Sequence, residues 1–269
     1  MTRSVRTART ALAVFAGTTA LLAAGALAGC EVNLDLGGRE PSGDEITQQR
    51  DVAAVTRVEL RSTGTLNLAV GDEPRLTVVG AQDVLEDVTT TVDGDTLVID
   101  QEHDWRRTGY LEYDLVLPAL DTVLLSGSGE VYGELGSTGP VSLVIDGSGE
   151  IVVDELTTDA LSVAVHGSGD VTVHQLGAQT VDVLVEGSGG VELVGATDRL
   201  TVSIPGSGAV DADELMAREG VVAIEGSGEA DVYVTDTLDA SIDGSGDITY
   251  VGDPEVSRRI DGSGEVHAD

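Results

Sequence analysis

The tripeptide Gly-Ser-Gly begins at Gly127, Gly147, Gly167, Gly187, Gly206, Gly226, Gly244 and Gly262, at steps of 20, 20, 20, 19, 20, 18 and 18 residues. Recurrence this steady marks a repeat architecture. Residues two, four and six places before the tripeptide are aliphatic in successive repeats: Val141, Leu143 and Ile145, then Leu161, Val163 and Val165, then Val181, Val183 and Val185, then Leu200, Val202 and Ile204. After it the alternation resumes with Ile151 and Val153, Val171 and Val173, Val191 and Leu193, Ile248 and Tyr250. Period-two alternation is the signature of a strand. Each repeat reads as two short strands joined at a Gly-Ser-Gly corner, too short for a strand–helix–strand crossover.

One such coil cannot bury its apolar face alone, and stacking on the next coil does so. The fold class expected is therefore all-β, a parallel β-helix or solenoid of about 20-residue coils with an irregular N-terminal β cap. At about 4.8 Å per coil, the marked repeats make a rod on the order of 35 to 40 Å long. The corner glycines answer a need for positive φ or close backbone approach. The serine hydroxyls are expected to hydrogen-bond along the stack where backbone pairing is interrupted.

Residues 1–29 read as a targeting segment. Arg3, Arg6 and Arg9 precede an apolar run from Ala11 to Ala28, which closes in Leu27-Ala28-Gly29-Cys30. This resembles the lipobox of bacterial lipoproteins, in which the cysteine receives a diacylglyceryl group before cleavage. The resemblance implies lipidation of Cys30 and anchoring to the cell membrane on its extracytoplasmic face, without a spanning helix. Cys30 is the only cysteine, so no intramolecular disulfide can form. Residues 30–50, with Gly37-Gly38, Pro41 and Ser42-Gly43, read as the lipidated cysteine and a flexible tether.

From 51 to 120 the strands lack the tripeptide. Val55, Val58 and Leu60 are separated from Leu66, Leu68 and Val70 by Ser62-Thr63-Gly64, and Val92-Asp93-Gly94-Asp95 carries a hairpin signal. This portion reads as early coils plus antiparallel strands that cap the stack, because an open solenoid end is an unpaired edge. Residues 121–269 form the regular solenoid. At its end Arg258 takes an aliphatic position and Pro254 interrupts pairing, which discourages end-to-end association.

The formal net charge is −34, becoming −37 once Arg3, Arg6 and Arg9 are removed, and there is no lysine. Such a field excludes nucleic acid as a partner. Acids flank the corners, among them Asp146, Glu150, Asp170, Glu225, Glu229, Asp243 and Asp247. Stacked like charges repel by roughly 1 kcal/mol per pair even in water. Calcium, a hard cation bound by oxygens, would relieve this, and these seven are the metal candidates. Gly190 and Ala209 interrupt the row, and the Gly-Gly-x-Gly-x-Asp calcium motif is absent, so solvated acids with loose counterions are the competing reading.

Catalytic constellations are thin. His103, His166, His174 and His267 show no metal-ligand spacing, and Gly-x-Ser-x-Gly does not occur. Eight serines at equivalent corners suit structure, whereas a nucleophile needs its own base. No catalytic residue or cofactor is assigned and the chain is read as non-enzymatic. The alternative is a carbohydrate-active β-helix enzyme working through acids and arginines in a groove. One segment stands apart, His103-Asp104-Trp105-Arg106-Arg107. Trp105, Arg106 and Arg107 are the candidate ligand residues, able to stack a sugar or hold an anion, against the plainer reading of a surface loop over the cap.

The strand Val55-x-x-Val58-x-Leu60, the run Leu117-Pro118-x-Leu120 and the recurring Gly-Ser-Gly-Glu/Asp-Val corners resemble the head GIN-domain family ("putative auto-transporter adhesins") from about Asp51 to Asp269. That resemblance implies a β-helix-like fold and a cell-surface setting, and it brings no catalytic residues. The expectation is an envelope lipoprotein that presents an acidic solenoid as an adhesin or a surface binding or structural module. Its candidate partners are the membrane through the lipid, and a glycan or surface protein.

Overall fold

The computed structural model describes residues 44–101, 110–137 and 139–269. In chain order the strands are β1 (Glu45–Arg50), β2 (Arg57–Arg61), β3 (Thr65–Val70) and β4 (Arg75–Ala81). A single helical turn α1 (Gln82–Leu85) leads to β5 (Val88–Asp93), β6 (Thr96–Gln101), β7 (Leu111–Leu117), β8 (Thr122–Leu125) and β9 (Glu130–Gly133). The regular body follows: β10 (Val141–Ile145), β11 (Glu150–Val153), β12 (Leu156–Gly167), β13 (Asp170–Gly187), β14 (Gly190–Ile204), β15 (Ala209–Ile224) and β16 (Glu229–Gly244). The last coil turns through β17 (Asp247–Val251), β18 (Glu255–Gly262) and β19 (Glu265–Ala268).

The regular body is a parallel β-solenoid, and its register places like residues over like. Val141 lies over Leu161, Leu161 over Val181, and Val181 over Leu200. All four are buried, as are Ile145, Val165, Val185 and Ile204 two turns of the alternation later. Aliphatic columns of this kind close the interior from one coil to the next, the burial no single coil achieves.

Each coil has three sides, where the sequence suggested two strands. The first side carries the strand before the tripeptide and the second the strand after it. A short third strand then pairs Leu156 with Leu176 and Gly195 with Leu215. This side is short, and its inward places are filled by residues as different as Leu156 and Thr158 in one coil and Leu215 and Ala217 in another, so it leaves little alternation to detect.

The corners work through backbone rather than hydroxyls. Ser168 N–H donates to Gly147 O at 2.9 Å, Ser188 to Gly167 O at 2.9 Å, and Ser245 to Gly226 O at 2.8 Å. Inter-coil pairing therefore continues through the bend, and the corner serines turn their side chains to solvent. The expected reliance on stacked hydroxyls fails because the ladder is not interrupted at these corners. Glycine is needed for approach: a Cβ on Gly187, whose φ is 150°, would stand 2.0 Å from Gly167 O.

At the N-terminal end the spatial order departs from the chain order. β2 pairs in parallel with β6 on one edge and with β8 on the other, and β3 pairs likewise with β7 and β9. The first coil in the chain thus lies between the second and the third. Its bend, Ser62-Thr63-Gly64, takes the place of the tripeptide: Ser126 N–H donates to Leu60 O at 2.8 Å and Glu130 N–H to Gly64 O at 3.0 Å. Beneath it the Tyr113 hydroxyl meets Ser62 Oγ at 2.7 Å, both residues being buried.

Three antiparallel strands flank this end, β5 on β6, β4 on β7, and β1 on β4. The β5–β6 hairpin turns at Gly94, φ 61°, as the Asp-Gly signal predicts. The tether expected to reach Arg50 does not: residues 45–50 are strand, held by pairing along β4 and by Arg50 Nη1 donating to Val88 O at 2.9 Å. At the other end Arg258 lies beside Ala240 in register and donates to Val266 O at 3.4 Å, which puts a charge on the lane that aliphatics fill elsewhere.

Candidate binding groove

The third side carries an open groove of about 660 Å³ across successive coils. Its floor comes from Thr157, Gly177 and Ala196, with the exposed Met216 at one end. Along one wall the outward residues after the bend follow one another from coil to coil as Asp159, Gln179, Asp198 and Arg218. Small residues on the floor and long polar ones on the wall make the concavity.

The wall is tied together. Gln179 Nε2 donates to Asp159 Oδ1 at 2.9 Å, and Arg218 lies 3.1 Å from Asp236 and 3.8 Å from Asp198. Stacked acids here alternate with donors, so the repulsion expected of like charges is relieved by side chains. The bend beneath the wall is set by threonine. Thr197 Oγ1 donates to Gln179 O at 3.2 Å and Arg199 O at 3.1 Å, while Thr158 serves Gly139 O and Ala160 O, and Thr235 serves Ala217 O. These threonines went unremarked in the sequence, although Thr-Asp recurs at Thr158-Asp159, Thr197-Asp198 and Thr235-Asp236.

The acidic metal candidates occupy two lanes beside the Gly-Ser-Gly corner, away from the groove. Before the corner, Asp146 Oδ1 lies 2.7 Å from His166 Nδ1, and Glu186 is 3.8 Å from the other ring nitrogen. Farther along the same lane Asp243 lies beside Asp261 in register. After the corner, Glu150 accepts the Tyr132 hydroxyl at 2.9 Å, Asp170 accepts Gly190 N–H at 2.8 Å, and Asp247 accepts Glu265 N–H at 2.9 Å. That lane also pairs Glu150 with Asp170 and Glu229 with Asp247. Glu225, with its side chain in solvent, precedes the corner at Gly226. Among the described residues no three of His, Cys, Asp and Glu converge so as to hold a metal ion. Parallel stacking explains this, since it spreads equivalent residues along a line. Cys30, Trp105, Arg106 and Arg107 lie outside the described residues.

Electrostatic effects are local. The bond to Glu150 is the main reason the Tyr132 phenol is pushed up to about 12. Burial pushes the Tyr113 phenol up. Partial desolvation, then the neighbouring Asp211 carboxylate, raises the Asp213 carboxyl.

Fold and groove together define a parallel β-solenoid with an open groove on one flank of the stack. The chain belongs to the family described as "Putative auto-transporter adhesin, head GIN domain", whose model matches residues 55–254. The matched span opens at Val55, the first residue of the segment that carried the resemblance in the sequence. Among solved structures, a protein named as a putative lipid binding protein from Parabacteroides distasonis superposes with a TM-score of 0.76 at 25% identity, covering 86% of this chain and 99% of that one. A putative adhesin from the same species gives a TM-score of 0.74 at 24% identity, over 86% and 99%. A putative adhesin from Parabacteroides merdae gives 0.75 at 18%, over 86% and 98%. The last two support the fold alone. No curated protein matches the chain. Among the described residues no helix is long and apolar enough to cross a membrane.

Proposed function

We propose that this chain is a non-enzymatic lipoprotein of the cell envelope, held through acyl chains on Cys30 at the extracytoplasmic face of the membrane. It presents its acidic solenoid as a surface binding module, with the third-side groove as the contact surface. The observation that carries this reading is the groove itself: polar side chains from successive coils line one 660 Å³ concavity. Membership of a family named for adhesins supports the surface role, and the Leu27-Ala28-Gly29-Cys30 motif supports the anchor.

Two other readings draw less support. A glycosidase sets a pair of free carboxyl groups across the scissile bond. In this groove Asp159 is bound by Gln179 and the acids near Arg218 are shared with it. The Parabacteroides distasonis protein is named for lipid binding, but an acyl chain needs an apolar sleeve. This groove is open to solvent, with a shallow floor of small residues and Asp, Gln and Arg along one wall, and the interior is packed with Val, Leu and Ile, so no enclosed sleeve is present among the described residues.

Two measurements test the proposal. Metabolic labelling with palmitate should mark the protein in the host, with Cys30→Ser abolishing the label, and unlabelled wild type would refute the anchor. Beads coated with the full-length protein should adhere to bacterial cells, and filling the groove with Ala196→Trp should remove that adhesion. Adhesion equal to the wild type would refute the groove as contact surface.

A further inference from the structure

The wall of the groove has a repeat of its own. Asp159, Gln179, Asp198 and Arg218 stand one per coil, and the coil step is about 4.8 Å. Their mutual bonds fix their orientation while leaving capacity unused. An ionised carboxylate has about four acceptor sites, an amide has two donors and an acceptor, and a guanidinium has five donors. Asp159 and Gln179 spend one of these on each other, and Arg218 divides its donors between Asp198 and Asp236. What remains is a pre-oriented row of alternating acceptors and donors along a shallow floor.

Three occupants can be compared. An extended peptide adds to a sheet through a free backbone edge. Here the third-side backbone is already paired from coil to coil, as Leu156 with Leu176, Leu176 with Gly195 and Gly195 with Leu215. A cationic polymer seeks the most negative lane. The corner lanes, where Asp243 stacks with Asp261 and Asp247 with Glu265, offer acid directly on acid. In the groove, by contrast, Arg218 and Gln179 offset it. A neutral polyhydroxylated chain fits what is left: each pyranose ring presents hydroxyls that both donate and accept, at a repeat similar to one coil step.

We propose that the groove binds an uncharged glycan chain lying along the stack axis, roughly one sugar ring per coil, hydrogen-bonded to Asp159, Gln179, Asp198 and Arg218. This inference rests on the groove being the contact surface. Affinity accumulates along the row, because each ring adds a few weak polar contacts and no aromatic platform lines the groove.

The test is calorimetric titration of the full-length protein with neutral β-1,4-linked glucose and N-acetylglucosamine oligomers, from disaccharide to hexasaccharide, with oligolysine as the charged comparison. The expected result is affinity rising by about tenfold or more from disaccharide to pentasaccharide, with little salt dependence. Ala196→Trp, at an exposed floor position, should weaken binding by about tenfold or more, and so should Gln179→Ala. Ser207→Trp, exposed at a corner away from the groove, should leave it unchanged. Absent binding, affinity flat with length, an indifferent Ala196→Trp variant, or preference for oligolysine would each overturn the glycan assignment. If glycans fail while Ala196→Trp still abolishes bead adhesion, the ligand class falls and the binding-module reading stands. If Ala196→Trp alters neither assay, both fall.

Discussion

Gly187 passes so near Gly167, one coil earlier, that a Cβ on it would stand 2.0 Å from the Gly167 carbonyl oxygen. Its φ of 150° adds a conformation that L side chains rarely adopt. Gly187→Ala should therefore destabilise the protein by about 3 kcal/mol or more in urea unfolding. Gly177→Ala is the control, because nothing lies closer than 3.8 Å to its added Cβ, and it should stay within about 0.5 kcal/mol of wild type.

Thr197 turns the third-side bend with one buried hydroxyl shared between Gln179 O and Arg199 O. Thr197→Val keeps the shape and leaves both carbonyls without that donor. A loss of about 1 to 2 kcal/mol is expected in the same experiment. Thr157→Val, one position from the equivalent Thr158 and exposed, should have almost no effect.

Asp213 supplies a pH-dependent test. Its carboxyl is raised in the folded state, by partial desolvation first and by Asp211 second. A raised folded value means the stabilising contribution is whole below the ordinary aspartate pKa of about 3.9 and is lost as pH rises through the folded value. Ionised Asp213 is thus a small liability at neutral pH. Asp213→Asn should raise the melting temperature near neutrality, and the gain should vanish when the melts are repeated at about pH 3.

The Tyr132 phenol, held at about 12 chiefly by its bond to Glu150, gives a spectroscopic check. Glu150→Gln should bring its titration down towards the ordinary tyrosine value of about 10, read by ultraviolet difference absorbance against Tyr132→Phe. The sign for stability follows: the bond contributes below the ordinary value and is lost as pH rises through about 12.

Much of the fold was legible because stacking demands the same residue types at the same place in every coil. The columns Val141, Leu161, Val181 and Leu200 announce themselves by period and alternation alone. The third strand was hidden, since Leu176 is followed by Gly177 and Ala178 and gives no alternation. The groove was hidden with it. Its Thr-Asp bends recur only at every second coil, and the residues between them are Ala178-Gln179 and Ala217-Arg218. Acidic lanes drew attention to a metal, and what the parallel stack produces there is a line of carboxylates, some of them bonded to a neighbour, as Asp146 to His166 and Asp170 to the Gly190 amide.

The spatial position of β2 and β3 was the least legible part, because alternating strands look alike wherever they dock. It changes what the N-terminal strands hold together. The β2–β3 strip is bound on both edges, by β6 and β7 on one and by β8 and β9 on the other. What looks like a winding begun at one end is a plank laid in the middle, and an N-terminal truncation through β3 would part the second coil from the third rather than trim an end.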